Sequence, residues 1–261
     1  MEAGLRPFLL FTRRRGRLRS HVIPGLPYFS LSLLYLTAMS RSIDSIAPVI
    51  LAAGDSKRMG YPKALLPLGE EIFLTRILRV LREVGFTRPR LILGRDAALI
   101  SARITDYATD IIVNPDPDKG QLSSIQLGIS GLTDNIEAVM LWPVDQPAVS
   151  VELTCRLTEL FITNDCRIAV PFRNGKRGHP AIFHRTLIHE FMDAPMEKGA
   201  KGIISRYESE TCFLTTDESA AFTDIDTPSD YQTLTSQNLE TVCKPLNNMQ
   251  FQSDSQSNIH K

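Results

Sequence analysis

The chain has 261 residues, 43% of them hydrophobic, and its 29 basic and 29 acidic side chains cancel to a formal net charge of zero. That length and apolar content suit one sizeable domain with extra segments. Zero net charge excludes a global field that would draw in nucleic acid or an anionic membrane. Cys155, Cys166, Cys212 and Cys243 include no Cys-x-x-Cys pair, and His184 and His189 are five apart, the wrong interval for one helical face. Neither a zinc site nor a disulfide framework is expected, which suits a reducing compartment.

In chain order, residues 1–46 differ from the rest. Arg13, Arg14, Arg15, Arg17 and Arg19 precede an apolar run at residues 29–38, an order that imitates a signal peptide. The run is too short to span a membrane, and Pro24 and Pro27 interrupt its approach. We read residues 1–46 as an N-terminal extension, disordered or lying ahead of a true start at Met39, and the protein as cytoplasmic. Residues 47–240 form the main domain. Residues 241–261, rich in Asn, Gln and Ser towards their end, read as a disordered polar tail.

Within the main domain, residues 48–53 are a short apolar run closed by Gly54, as in a buried parallel strand. Phe73, Leu74, Ile77, Leu78, Leu81 and Val84 recur at helical spacing, and Gly85 stops that helix. Strands follow at Arg90–Leu93 and Asp110–Val113, a helix at residues 121–132 and a strongly apolar strand at Ala138–Pro143. A helix at 151–162 and a strand at 167–171 come next. The alternation predicts an α/β fold, a doubly wound, mostly parallel sheet with helices on both faces in three α/β/α layers. Ligands of such sheets bind beyond the carboxyl ends of the strands.

The loop after the first strand reads Leu51-Ala52-Ala53-Gly54-Asp55-Ser56-Lys57-Arg58-Met59-Gly60-Tyr61-Pro62-Lys63. Its small residues let the backbone approach a ligand, Gly54 and Gly60 permit positive φ, and successive N–H groups can cradle phosphate oxygens. Arg58 and Lys63 add positive charge. The plainer alternative is a strand-to-helix turn with surface charges. The glycine spacing fits neither a Walker A loop nor a dinucleotide fingerprint.

Two carboxylates stand out downstream. Asp145 follows the apolar strand in Trp142-Pro143-Val144-Asp145-Gln146-Pro147, where it can face a cleft or start a turn. Asp226, in Thr223-Asp224-Ile225-Asp226-Thr227-Pro228, precedes a helix that Pro228 could open, and could merely cap it. Asp224 shares its face under strand alternation. Ser123 and Ser124 open a helix and could cap it or meet base, ribose or phosphate.

The ordered run from Leu51 to Lys63, continued by Leu65-Leu66-Pro67-Leu68-Gly69, resembles the signature of the NTP-transferase-like nucleotidyltransferases. The nearest branch is that of the molybdenum cofactor cytidylyltransferases and their guanylyltransferase relatives, and the similarity extends from Pro48 to Tyr231. The resemblance implies a Rossmann-like nucleotidyltransferase fold. It places nucleotide binding on Leu51, Ala52, Ala53, Gly54, Ser56, Arg58, Lys63, Ser123 and Ser124, catalysis on Lys63, Arg58 and Asp145, and a metal on Asp145 and Asp226. The segment Gly175-Lys176-Arg177-Gly178-His179-Pro180 looks like the family's acceptor segment, which assigns Gly178, His179 and Pro180 to the acceptor; His179 could equally cap a turn. Gly199-Ala200-Lys201-Gly202 is a weaker match to a later glycine turn.

The implied reaction is transfer of a nucleoside monophosphate to a phosphate-bearing small molecule with release of pyrophosphate. The implied cofactor is Mg²⁺, with Mn²⁺ as a substitute. Ala53, where the guanylyl branch tends to carry glycine, favours CTP as the NTP and the molybdenum cofactor as acceptor. The alternatives are a sugar- or alditol-phosphate nucleotidyltransferase, or a chaperone that carries the cofactor to a molybdenum hydroxylase apoenzyme. Neither nucleic acid nor a membrane is an expected partner.

Overall fold

The computed structural model describes residues 9–14, 17–22, 41–194 and 199–242. The chain divides into two units, Met1–Ser42 and Ile43–Lys261. In the first, strands β1 (Leu9–Arg14) and β2 (Arg17–Val22) pair antiparallel. The apolar run at 29–38, Met39 and the polar stretch from residue 243 onward lie outside the described residues.

The second unit is built on an eight-stranded sheet. Its strands are β3 (Ile46–Ala52), β6 (Arg90–Leu93), β7 (Asp110–Val113), β8 (Ala138–Pro143), β9 (Ile168–Arg173), β10 (Lys176–Arg177), β11 (Ala181–His184) and β12 (Thr211–Thr215). Seven run in the order β10-β9-β11-β8-β3-β6-β7, and β12 pairs with β9. A small hairpin of β4 (Pro67–Leu68) and β5 (Glu71–Ile72) stands apart. The helices are α1 (Phe73–Val84), α2 (Ala97–Ser101), α3 (Gln121–Ile129), α4 (Val151–Thr163), α5 (Ile188–Met192), α6 (Gly199–Arg206) and α7 (Pro228–Val242).

Strand alternation explains the continuous apolar runs. Along β3, Ile46, Ile50 and Ala52 enter a core with Leu74, Ile77 and Leu81 of α1 and Leu153, Leu157 and Phe161 of α4. Val49 and Leu51 enter a second core with Leu122, Ile125 and Ile129 of α3, Phe191 of α5 and Ile203 of α6. A strand covered on both faces has no polar positions to alternate. The doubly wound, mostly parallel three-layer sheet is the architecture that the sequence predicts.

The element bounds follow local chemistry. Gly85, at φ 113°, ends α1 with its N–H on Leu81 and Arg82 carbonyls. Helix α3 stops at Ile129 and not at residue 132, because Ser130 turns extended and the Arg90 guanidinium takes the Gly128 and Ser130 carbonyls, 2.7 Å each. Strand β9 continues to Arg173 and reverses through Asn174 (φ 48°) and Gly175 (φ 77°). Both turn residues have positive φ, as a tight hairpin turn requires. The chain therefore returns without a crossover helix, and β11 inserts antiparallel between β8 and β9.

Strands β3, β6 and β7 are parallel neighbours on one side, and β8 pairs parallel with β3 on the other. The direction of winding thus reverses between β3 and β8. A cleft beyond their carboxyl ends is the position that the doubly wound topology reserves for ligands.

Candidate active site

A cleft of about 380 Å³ opens there. It is lined by the loop after β3 (Leu51, Ala52, Ala53, Gly54, Ser56, Arg58 and Lys63 among its walls), by Ser124 from α3, by Asp145 beyond β8 and by Asp226 before α7. Residues 51–58, Lys63, Asp145 and Asp226, distant in sequence, thus share one cavity.

The loop is shaped differently from the expectation that Gly54 and Gly60 supply its positive φ. Gly60 does, at 70°, but the second such residue is Ser56, at 50°. Its carbonyl accepts from the Met59 and Gly60 N–H groups at 2.9 and 3.0 Å, and its hydroxyl accepts from the Lys63 N–H at 3.1 Å. Ser56 therefore folds the loop onto its own end and presents Lys63 inward. Gly54 has another role: a Cβ there would meet nothing within 4 Å, so the missing side chain leaves open cleft.

Lys63 is the centre of the charged cluster, with a side chain only 13% exposed. Its Nζ donates to Asp226 Oδ1 at 2.5 Å and to Asp145 Oδ2 at 3.3 Å. Arg58, mostly exposed, donates to Asp226 Oδ2 at 2.8 Å. Burial pushes the Asp145 carboxyl above its ordinary range; Lys63 opposes this, while the like charges of Asp224 and Asp226 add to it. The Lys63 hydrogen bond, aided by Arg58, holds Asp226 below the carboxylate range.

Asp145 Oδ1 is buried and accepts no hydrogen bond among the described residues. A buried carboxylate oxygen left unsatisfied is costly unless a cation or donor reaches it. Two carboxylates with one such oxygen fit a hard divalent ion such as Mg²⁺, which takes only one or two protein carboxylates and otherwise binds water and phosphate. Among the described residues no group of three or more His, Cys, Asp or Glu side chains forms a fuller metal cage.

Asp224 and Asp226 separate clearly. Residues 223–226 are not a strand, so the alternation argument that left them on one face does not apply. Asp224 accepts from the buried Gln146 Nε2 at 2.6 Å, whereas Asp226 meets Lys63 and Arg58. The segment is fixed by the Ile225 N–H on the Asp145 carbonyl, 2.9 Å, and by Ile225 packing with Leu66, Leu68 and Phe73. Asp226 does not cap α7: Thr227 does, its Oγ1 accepting from the Asp230 N–H at 3.3 Å, while Asp230 Oδ2 reaches back to the Asp226 and Thr227 N–H groups at 3.2 and 2.8 Å.

Residues 48–211 match the MobA-like NTP transferase domain. The chain belongs to this nucleotidyltransferase family. MobA-like relatives include a probable molybdenum cofactor guanylyltransferase of Opitutus terrae, 32% identical over 111 residues; these are 42% of this chain, which spans about half, 53%, of that relative. The molybdenum cofactor cytidylyltransferase of Escherichia coli is 26% identical over 193 residues, covering 73% of this chain and 96% of the relative. Among solved structures, Rv0371c of Mycobacterium tuberculosis superposes with a TM-score of 0.65 at 28% identity, over 73% of this chain and 97% of that one. A complex of Rv0371c with manganese is also solved, with a TM-score of 0.62 at 27% identity over 73% and 98%.

The MobA-like match ends at residue 211, before Asp226. The remaining sequence-derived positions divide. Ser124 lines the cleft, but Ser123 does not. Neither serine caps α3 through its side chain: Ser123 Oγ donates to the Gly120 carbonyl at 2.8 Å, and Asn114 Nδ2 donates to both hydroxyls at 2.9 and 3.0 Å. Gly178, His179 and Pro180 lie outside the cleft wall. Gly178 is packed so that a Cβ would stand 2.4 Å from the Ala221 carbonyl, and the His179 N–H donates to that carbonyl at 2.9 Å.

Sequence reasoning missed the residues directly after β6. Gly94 lies so close to the loop that a Cβ would stand 2.4 Å from the Ala53 carbonyl. Arg95 donates to Asp55 and to Asp118 at 2.5 Å each, tying the loop to the turn before α3. Asp96 lines the cleft. The strand-end rule of doubly wound sheets was the signal for all three.

Proposed function

We propose that the chain transfers a nucleoside monophosphate from an NTP to a phosphate-bearing small molecule and releases pyrophosphate. The observation that carries this reading is the meeting of Asp145, Asp226 and Lys63 at the end of the small-residue loop, with Asp145 Oδ1 buried and unsatisfied. The open space beside Gly54 and the loop N–H groups receive the triphosphate. Lys63 and Arg58 move their charge from carboxylate to phosphate oxygens and stabilise the transition state. Asp145 and Asp226 hold Mg²⁺ or Mn²⁺, which when bound offsets the phosphate charge and aligns the reacting groups. No general base is needed, because the attacking phosphate is already ionised; positioning and charge do the work.

For the finer identity we propose CTP as donor and the molybdenum cofactor as acceptor, supported by Ala53 in the Leu-Ala-Ala-Gly run and by the cytidylyltransferase relative. Gly178, His179 and Pro180 remain our acceptor segment, with a molybdenum hydroxylase as the downstream partner. No helix among the described residues is long and apolar enough to cross a membrane, and we place the reaction in the cytoplasm, where NTPs are supplied. The test is pyrophosphate release from each NTP with molybdenum cofactor, sugar phosphates and alditol phosphates, before and after chelation and with Mg²⁺ or Mn²⁺ restored. Turnover of CTP with the cofactor supports the full reading. Turnover only with another acceptor removes the cofactor, and no turnover of any NTP overturns the reaction.

A further inference from the structure

We propose that Asp96 selects the nucleobase by accepting a hydrogen bond from an exocyclic amino group, so that the cleft prefers amino-bearing bases to their deamino counterparts. The inference rests on the nucleotide reading above. Its basis is the position of Asp96 relative to the charged cluster. Asp145 follows β8 on one flank of the loop; Asp96 follows β6 and Ser124 lies in the first turn of α3 on the other. Strand β6 is two spacings from β8 and β7 is three, about 10 and 14 Å. A triphosphate on Lys63 and Arg58 therefore directs its base towards Asp96, Ile100, Pro117 and Ser124, which line that end of the cleft.

The local chemistry leaves Asp96 available. The contact of Gly94 with the Ala53 carbonyl brings this turn against the loop. The adjacent cation, Arg95, faces two other carboxylates, Asp55 and Asp118. The Asp96 side chain is half-buried, makes no capping bond to α2 and enters no ion pair among the described residues. An ionised carboxylate only accepts hydrogen bonds. Cytosine and guanine offer it an amino group. Uracil sets a carbonyl oxygen where cytosine has that group, and hypoxanthine lacks the guanine 2-amino group. Ser124 complements it: its hydroxyl oxygen accepts from Asn114, which leaves its proton to donate to a base acceptor.

Equilibrium binding of CTP, UTP, GTP and ITP to the full chain with Mg²⁺, measured by calorimetry, tests the assignment. CTP over UTP, or GTP over ITP, should be favoured by roughly 10- to 100-fold, and the favoured pair tells cytosine from guanine. Asp96→Ala should bring that ratio towards one without changing the melting temperature, because the Asp96 side chain makes no hydrogen bond or ion pair among the described residues. Asp96→Asn should also reduce it, because an amide offers both donor and acceptor. Four equal affinities, or a ratio retained in Asp96→Ala, overturn the assignment while leaving the nucleotide reading in place. Failure of all four to bind overturns both.

Discussion

Lys63 Nζ lies 2.5 Å from Asp226 Oδ1, joining residues 163 positions apart in the chain. That contact closes the loop side of the cleft onto the segment before α7, and places an ammonium between two carboxylates that would otherwise repel each other. Its charge belongs to both the fold and the proposed chemistry.

Lys63→Met should therefore lower kcat/KM for NTP turnover by roughly 100- to 1,000-fold, the scale for removing one preorganised charge donor. Arg58→Ala should cost only about tenfold, because an exposed cation is screened by water. Steady-state pyrophosphate release measures both. Equal losses would mean that burial does not distinguish them.

The two acids before α7 should differ in the same assay. Asp226→Asn removes the partner of Lys63 and Arg58 and should reduce turnover at least 100-fold. Asp224→Asn disturbs the Gln146 contact and should lose less than about tenfold. The reverse order would transfer the metal role to Asp224.

Asp145→Asn should almost abolish turnover yet unfold at a temperature equal to or above wild type at pH 7. A carboxyl with a raised folded-state pKa binds its proton more tightly folded than unfolded, so its ionisation opposes folding. Wild-type stability should thus decline relative to the variant as pH rises through that range, and the two should converge below it. Thermal unfolding across pH checks the sign; a variant markedly less stable at pH 7 would contradict the burial argument.

Two glycines should respond in opposite ways. Gly94→Ala forces a Cβ to 2.4 Å from the Ala53 carbonyl and should destabilise the fold by about 1–3 kcal/mol. Gly54→Ala meets nothing within 4 Å, so its melting temperature should hold while NTP affinity falls. Denaturant unfolding and nucleotide titration of both variants separate the effects.

Much of this was legible in the sequence. The strands buried on both faces announced themselves as unbroken apolar runs, and the bounds of β6, β7 and β8 follow from composition alone. The loop and Asp145 were readable because each lies at a strand end. Strand β11 was not: its antiparallel insertion follows from the Asn174-Gly175 turn, a hairpin signal that the helix–strand alternation obscured. Strand alternation could not choose between Asp224 and Asp226, and only the resemblance favoured Asp226; their different contacts depend on a buried glutamine 78 residues from Asp224. The resemblance places Ser56 among the nucleotide-binding residues; its positive φ and its bond to the Lys63 N–H add a loop-shaping role that side-chain chemistry alone does not reveal.

The anchoring of Asp226 by Ile225, Leu66, Leu68 and Phe73 has a consequence for synthesis. A growing chain exposes the loop and Asp145 first, and residue 226 follows residue 145 by 81 positions. At roughly 5–20 residues per second, ribosomes take several seconds to bridge that gap. During that interval the nascent sheet carries a lysine facing one carboxylate and an unfinished apolar seat on the β4–β5 hairpin. The late segment thus completes a patch of core and the paired acids in one event, so a chain released before it would lack both together.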